Sequence, residues 1–468
     1  MILCSFEYKT IKNKNLPDSW KSASALVDLE EFLQQNWEKR QIFYNDENYS
    51  SKQKFLSFVG QGGIKTQNYI GTISFNGEQL NIFPKVFRED KDDQDTSELS
   101  MRHLMLNLTK WLEYCNKTAY PFINIKSELT ESADLKDFFI TLYISYVQSA
   151  MERAAFYQYV DETSDCSVIK GKFDIVDYFT NKLPNGQAHN FRCTYSNFEF
   201  DNKLNRILKY TCRLLLNQTS VKNQKRLHSI LQRLEEVTLE KCTPKDCDTI
   251  RLGSMHKDYK IILSMSKMFL LNKTSSYNLD NSESFCFLFP TEILFEGFIG
   301  GFIQETLGTI GAKVKLQQSN MHLIDDVIYG DKSLGAAFTM RHDIVVNIDD
   351  KMYILDTKYK EVSRFEGNDE EIREIVANEP KQTDIYQMCE YARKQGQSDV
   401  YLLYPMYRYE EKEPDFPIGI SSGAGGDIRI HFIRLPFVFE KENEQYTTDT
   451  LKKIIMTELG IDNSRGDL

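Results

Sequence analysis

The stretch RHDIVVNIDDKMYILDTKYK, residues 341–360, limits the possible folds more than any other part of the chain. Ile344, Val345 and Val346 are β-branched, Met352 to Leu355 form a second apolar run, and the polar Asn347-Ile348-Asp349-Asp350-Lys351 between them predicts a turn. A hairpin centred on Asp349-Asp350, with two or four loop residues, sets Asp343 directly opposite Asp356. Direct cross-strand partners share a face with Cβ atoms about 4.5–5.5 Å apart, where like charges repel. Strand alternation brings Lys358 to the face of Asp356. Two facing carboxylates beside an ammonium either form a structural ion cluster or hold a hard divalent cation and orient a water next to it. The hairpin by itself leaves both open.

Composition narrows the class. With 468 residues the chain can form two to four domains, and 41% hydrophobic with 27% charged content is that of a soluble globular protein. No apolar run reaches the roughly 18 residues of a membrane span, and MILCSFEYKT lacks the basic and then apolar segments of a signal peptide. A cytoplasmic protein with no membrane contact is expected. The nine cysteines are scattered, and Cys242 and Cys247, the closest pair, have no second pair or nearby histidines for zinc, so reduced structural thiols are expected. The net charge of −11 argues against a surface that wraps nucleic acid unaided, because lysine and arginine supply most non-specific affinity. It leaves room for a local basic groove or a partner that supplies the grip.

The expected fold is a multidomain α+β chain. Residues 1–98 read as a mostly β domain with one helical insert. In it, Ile73, Phe75, Leu80 and Ile82 alternate around Asn76-Gly77, a strong hairpin signal, and the charged run 88–98 reads as a loop. Residues 99–280 are mainly helical, interrupted by VIKGKFDIVDYF and FRCTYSNFEFD, which have strand or loop character. The polar stretch 272–284 reads as a linker, so residues 1–280 are expected to fold without the remainder. From 285 to 468 a helix, three strands, a helix and a strand predict a mixed α/β sheet covered by helices.

Two helices carry residues that can complete the hairpin's site. Glu296 falls on the flank of the apolar stripe of TEILFEGFIGGFIQETL, where it either reaches the sheet edge or turns to solvent. Gly297, Gly300 and Gly301 each cost that helix up to about 1 kcal/mol relative to alanine, which predicts a close neighbour. In KQTDIYQMCEYARKQG, Ile385, Met388, Cys389 and Ala392 make the core face, while Gln387 and Tyr391 share the opposite side.

A glutamate on a first helix, an aspartate on the second strand, D-x-K on the third and Q-x-x-x-Y on the next helix resemble the PD-(D/E)xK nuclease fold. Here these are Glu296, Asp343, Asp356-Thr357-Lys358, and Gln387 with Tyr391. The wording LFEGFIGGF, DIVV, ILDTKYK, DIYQMCEYA and LLYP resembles the McrC-type nuclease subunit of McrBC 5-methylcytosine restriction systems. Weaker collinear matches are GTISFNGEQLNIFPK, KGKFD and FEFDNKLNRILKY, and His342 stands where the family has a proline. The resemblance implies an endonuclease in which Asp343, Asp356 and the Thr357 carbonyl hold Mg²⁺, with Mn²⁺ as a substitute, and Glu296 binds through water or a second ion. It implies that Lys358 positions the attacking water, while Gln387, Tyr391, Lys360 and Arg341 line the site or touch double-stranded DNA.

The same resemblance implies a hexameric AAA+ GTPase partner whose GTP hydrolysis this chain stimulates. No G-x-x-x-x-G-K-[ST] motif is present, so no nucleotide is expected on this chain alone. Candidate contacts with the motor are the Asn76-Gly77 hairpin, then Asn205 and Arg206. Competing readings are a free-standing RecB-type nuclease and a non-catalytic activator or scaffold, against which intact Asp343, Asp356 and Lys358 speak.

Overall fold

The structure, a computed structural model, describes residues 2–38, 55–59, 62–89, 100–115, 135–253, 256–275, 285–363, 368–408, 418–422 and 428–461. The linker stretch beyond Ser275 and the charged run beyond Glu89 lie outside these residues. The chain forms two compact units, Met1–Leu135 with Asn278–Leu468, and Lys136–Tyr277.

The first unit begins with β1 (Ile2–Phe6), β2 (Thr10–Ile11), α1 (Ala23–Glu38), β3 (Leu56–Val59), β4 (Gly63–Thr66), β5 (Tyr69–Phe75), β6 (Glu78–Phe83) and α2 (Met101–Tyr114). The β5–β6 hairpin turns on Asn76 and Gly77, both with positive φ, as a two-residue turn of this type requires. Its inward residues Ile73, Phe75, Leu80 and Ile82 pack with Trp20, Leu29 and Ile64 into one core.

The second unit holds α3 (Leu135–Arg153), β7 (Gln158–Cys166), β8 (Lys172–Phe173), β9 (Phe191–Glu199), α4 (Lys203–Leu215), α5 (Val221–Arg233) and α6 (Lys257–Ser275). Its strands form a small antiparallel sheet in the order β7-β9-β8.

The chain then returns to the first unit through β10 (Phe285–Pro290), α7 (Thr291–Gly308), β11 (Lys313–Ile324), β12 (Ile328–Tyr329), β13 (Lys332–Ser333), β14 (Ala337–Ile348) and β15 (Lys351–Thr357). It ends with α8 (Asp369–Asn378), α9 (Gln382–Gln395), β16 (Asp399–Met406), β17 (Ile418–Ser422), β18 (Ile428–Pro436) and α10 (Glu444–Glu458). A six-stranded mixed sheet runs β11-β14-β15-β16-β18-β17, with β15, β16 and β18 parallel.

Packing does not follow the three consecutive segments read from the sequence. β10, from the start of the third segment, pairs antiparallel with β5 of the first and completes the sheet β1-β6-β5-β10. α2, read as part of the helical middle, packs on α7: a Cβ on Gly297 would lie 2.1 Å from Cys115 Sγ, and one on Gly301 would lie 1.8 Å from the Tyr114 carbonyl oxygen. These two glycines let the end of α2 sit against the helix backbone, the close neighbour that the sequence predicts. Asn107 of α2 also donates to the Phe439 carbonyl at 3.0 Å and accepts from the Phe439 N–H at 2.8 Å. Residues 1–280 therefore lack a strand and a helix that their own core packs against, and whether they fold alone turns on those contacts.

Candidate active site

The β14–β15 hairpin has the predicted register, with Ile344 opposite Leu355 and Ile348 opposite Lys351. Asp349 and Asp350, with φ of 49° and 61°, make a two-residue turn, so the shorter of the two loop lengths is the one adopted. The ladder stops at Ile344 and Leu355. One step further, Asp343 Oδ2 accepts from both the backbone N–H and the hydroxyl of Thr357, each at 2.8 Å. Asp343 thus caps the end of β15 and is not a ladder partner of Asp356, a correction to the facing-pair picture.

The two carboxylates still act on one another. Burial holds Asp343 well above the usual carboxylate range, and the charges of Asp356 and Glu296 push it further. Asp343 keeps a narrow opening to solvent, whereas Asp356 is 1% exposed. Asp356 is also raised by burial, against the pull of Lys358. Burial works to lower Lys358, but the Asp356 carboxylate outweighs it and holds the ammonium above its ordinary value.

Around Asp356 the contacts form a chain. Its carboxylate pairs with Lys358 Nζ, which also donates to Gln387 Oε1 at 3.3 Å. The Gln387 amide nitrogen lies 3.5 Å from Asp356 Oδ1 and donates to the Tyr391 hydroxyl at 2.7 Å, and that hydroxyl donates to the Arg341 carbonyl at 2.7 Å. Strand alternation explains why Asp356 and Lys358 share the α9 side of the sheet. Gln387 and Tyr391 meet because they are one helical turn apart.

Other expected residues stand differently. Glu296 is half-buried and accepts from the Gln317 amide at 3.0 Å, which places it toward the sheet edge and not in open solvent. Tyr391 is 6% exposed and packs with Met388 and Ile354, so it belongs to the core as well as to the site. Lys360 pairs with the buried Asp384 and is therefore already engaged within the fold. Asn205 is buried, with its amide donating to the Phe156 and Phe200 carbonyls at 2.8 Å each, and Arg206 is held by Asp201 and Glu240. Both hold the second unit together, and Asn205 has no face to offer a partner.

Two residues that the sequence reading passed over, Gln317 and Asp384, and one it noted only as a departure, His342, also shape the site. Gln317 reaches Glu296 from the stretch of β11 just before a register shift between Gln318 and Met321, and nothing in the sequence marks that irregularity. Asp384 neutralises Lys360, and its spacing from Gln387 on one helix was a usable signal. His342, where the resembled family has a proline, is 1% exposed and packs against Tyr391 with ring centroids 4.3 Å apart and the rings tilted by 40°.

An all-oxygen donor set with mutually repelling, largely buried carboxylates fits a hard divalent cation better than zinc or copper. Among the described residues, no three or more His, Cys, Asp or Glu side chains are grouped so that they could hold a metal ion. Among the described residues, too, no helix is long and apolar enough to cross a membrane.

Residues 64–405 match the family model described as McrBC 5-methylcytosine restriction system component. No curated protein matches the sequence. Among solved structures, one is described as a refined half-complex from a tetradecameric assembly of Thermococcus gammatolerans McrB AAA+ hexamers with bound McrC. The matching chain is 16% identical with a TM-score of 0.63, over 98% of this chain and 100% of that one. A second, the cryo-EM structure of the Thermococcus gammatolerans McrBC complex, is 18% identical with a TM-score of 0.46, over 66% of this chain and 88% of the other.

Proposed function

The chain belongs to the McrBC 5-methylcytosine restriction system component family, and from that premise we propose that it is the McrC-type, DNA-cutting subunit of such a system. The observation that carries this reading is that Lys358 pairs with Asp356 at the end of β15 while the charges of Asp356 and Glu296 both act on Asp343, in a PD-(D/E)xK-like order along the chain. A fold that places repelling carboxylates together and keeps them half-buried or buried gains stability from a cation, not from the acids themselves.

In this reading Asp343, Asp356 and the Thr357 carbonyl would hold Mg²⁺, with Glu296 as a further ligand. With no group of three such ligands among the described residues, these side chains alone would leave most of a Mg²⁺ ion's coordination to water and substrate. When bound, the ion polarises the scissile phosphate and makes its attacking water a stronger nucleophile. Lys358, held between Asp356 and Gln387, keeps its proton and so offers positive charge where the phosphorane builds negative charge. Gln387 and Tyr391 fix that ammonium from the helix side.

The relative's description names McrB AAA+ hexamers with bound McrC, and this chain has no phosphate-binding P-loop of its own. A hexameric AAA+ GTPase is accordingly the partner, and double-stranded DNA bearing a modified cytosine the substrate. The test is to purify the chain with an McrB-type AAA+ GTPase and to incubate the assembly with methylated and unmethylated DNA, GTP and Mg²⁺. Cleavage confined to the methylated DNA and dependent on both proteins is expected. Cleavage by the chain alone would favour a free-standing nuclease, and no cleavage with GTP hydrolysis still stimulated would favour an activator.

A further inference from the structure

Glu7, on the loop side of β1, is fully buried, far in sequence from the site and assigned no role by any motif. Its Oε1 accepts from the Tyr359 hydroxyl at 2.7 Å and from the Lys85 backbone N–H at 2.9 Å, and its Oε2 accepts from the Thr291 hydroxyl at 2.8 Å. The Lys85 ammonium donates to the Tyr359 carbonyl at 3.2 Å and lies 4.7 Å from the centre of the Tyr359 ring. A buried carboxylate is costly unless donors surround it, and here three elements each supply one. They are the segment after β6, the first residue of α7, and the segment just after β15.

Tyr359 directly follows Lys358. Next to it, Lys358 N–H donates to the Leu403 carbonyl at 2.8 Å and Lys360 N–H to the Lys358 carbonyl at 2.8 Å, so the chain leaves the sheet at this point. Successive side chains of an extended segment point to opposite sides. Anchoring Tyr359 on the β1 and α7 side, where its ring also meets Phe295 at 5.9 Å, turns Lys358 toward Asp356 and Gln387 on the α9 side. The other side-chain contacts of the segment Lys358–Lys360 are the packing of the Tyr359 ring on Phe295, Phe437 and the Lys85 ammonium, and the Lys358 and Lys360 ion pairs themselves, with the Lys358–Gln387 hydrogen bond.

We infer that Glu7 is a positioning residue for Lys358, acting through the Tyr359 hydroxyl, so that the N-terminal strand is part of the catalytic apparatus and not merely attached to it. The inference rests on the reading of Lys358 as the lysine of a nuclease centre.

The test uses the full chain. Lys358 is acylated with an amine-reactive ester in metal-free protein and its modification rate followed by mass spectrometry, with Lys203 of the other unit as reference. Tyr359→Phe removes the hydroxyl and keeps the ring. It is expected to raise Lys358 labelling roughly threefold, through more frequent local opening, with Lys203 unchanged. Glu7→Gln keeps an acceptor oxygen for Tyr359 and is expected to label like wild type. In the assembled cleavage assay, Tyr359→Phe is expected to lower the rate at saturating Mg²⁺ by about tenfold, a displacement effect, with the metal midpoint unchanged. Wild-type labelling of Lys358 in Tyr359→Phe overturns the inference, and so does a rate loss matched by falls in metal midpoint and melting temperature. Should Tyr359→Phe fail to fold, Thr291→Val removes one donor to Glu7 without touching the Lys358 segment, and the same outcomes decide. If wild type cuts no DNA, the nuclease reading fails, while the labelling shift still judges the link from Glu7.

Discussion

Asp201, in the unit Lys136–Tyr277, receives the Arg206 guanidinium at 2.7 and 3.0 Å together with the hydroxyl and backbone N–H of Thr238 at 2.6 and 3.1 Å. Those donors, the Arg206 guanidinium first, hold its carboxyl well below the usual range. In the other unit, burial and the neighbouring acids push Asp343 well above that range, and Asp356 is raised as well. The contrast separates acids that serve the fold from acids that the fold tolerates. Asp201 ties the start of α4 to Thr238 and is stabilising when ionised. Asp343 and Asp356 are unfavourable when both are ionised, the pattern on which the proposed site rests.

The two kinds of acid give opposite pH responses. Lowered carboxyls such as Asp201 and Asp246 contribute stability that is full above the ordinary carboxylate range and is lost as pH falls through their lowered values. For the raised pair, the favourable contribution is present below the ordinary range and is lost as pH rises through the raised values. The metal-free end of the β14–β15 hairpin therefore loses stability as pH rises through those values, a loss that the proposed divalent cation would offset.

The largest predicted effect breaks the contrast by removing the C-terminal part of the unit that holds the site. A fragment ending at residue 280 takes β10 away from β5 and Thr291 away from Glu7. Amide exchange should find β5 and β6 unprotected in it while α4 stays protected; protection of β5 and β6 would show that this sheet does not need β10. Next, Lys358→Ala should lower cleavage by about a hundredfold or more, since it removes charge stabilisation of the transition state. Mg²⁺ or Mn²⁺ binding should survive in calorimetry, because a protonated ammonium is no ligand. Lost metal affinity in a folded variant would make the lysine part of the binding site.

Smaller effects sharpen the comparison. Asp343→Asn keeps an oxygen for Thr357 and removes the repulsion, so the metal-free protein should melt roughly 2–4 °C higher at neutral pH. That gain should shrink toward acid pH, where the aspartate is protonated anyway, and Mg²⁺ should no longer raise the melting temperature. A variant that melts lower at neutral pH would show Asp343 to be a structural acid like Asp201. Asp201→Asn should do the reverse, costing about 0.5–1 kcal/mol at neutral pH, the worth of a partly exposed ion pair, and less in acid. An equal cost at both pH values would remove the electrostatic account of that site.

Much of this contrast was legible in the sequence because it depends on local patterns. Alternation and the Asp349-Asp350 turn determine the register of β14 and β15, the Asn76-Gly77 turn that of β5 and β6, and the glycines of α7 announce a close neighbour. What was not legible depends on pairing at long range. FCFLFP is six apolar residues that suit many partners, and nothing in it names β5. Likewise Glu7 reads as one more charged residue near a strand end until Tyr359 and Thr291 are brought to it by the fold. Asn205 looked available for a partner because side-chain burial in α4 follows from neighbours outside that helix.

The central claim is that the acids at the end of the β14–β15 hairpin form a metal-dependent nuclease centre. The most direct measurement is DNA cleavage by the assembly of this chain with its AAA+ partner, comparing wild type with Asp356→Ala in Mg²⁺ and methylated DNA. The account predicts that the variant assembles with the partner, melts no lower than wild type without metal, and cuts at least about a thousandfold more slowly. Cleavage at the wild-type rate by a folded, assembled Asp356→Ala protein would contradict it.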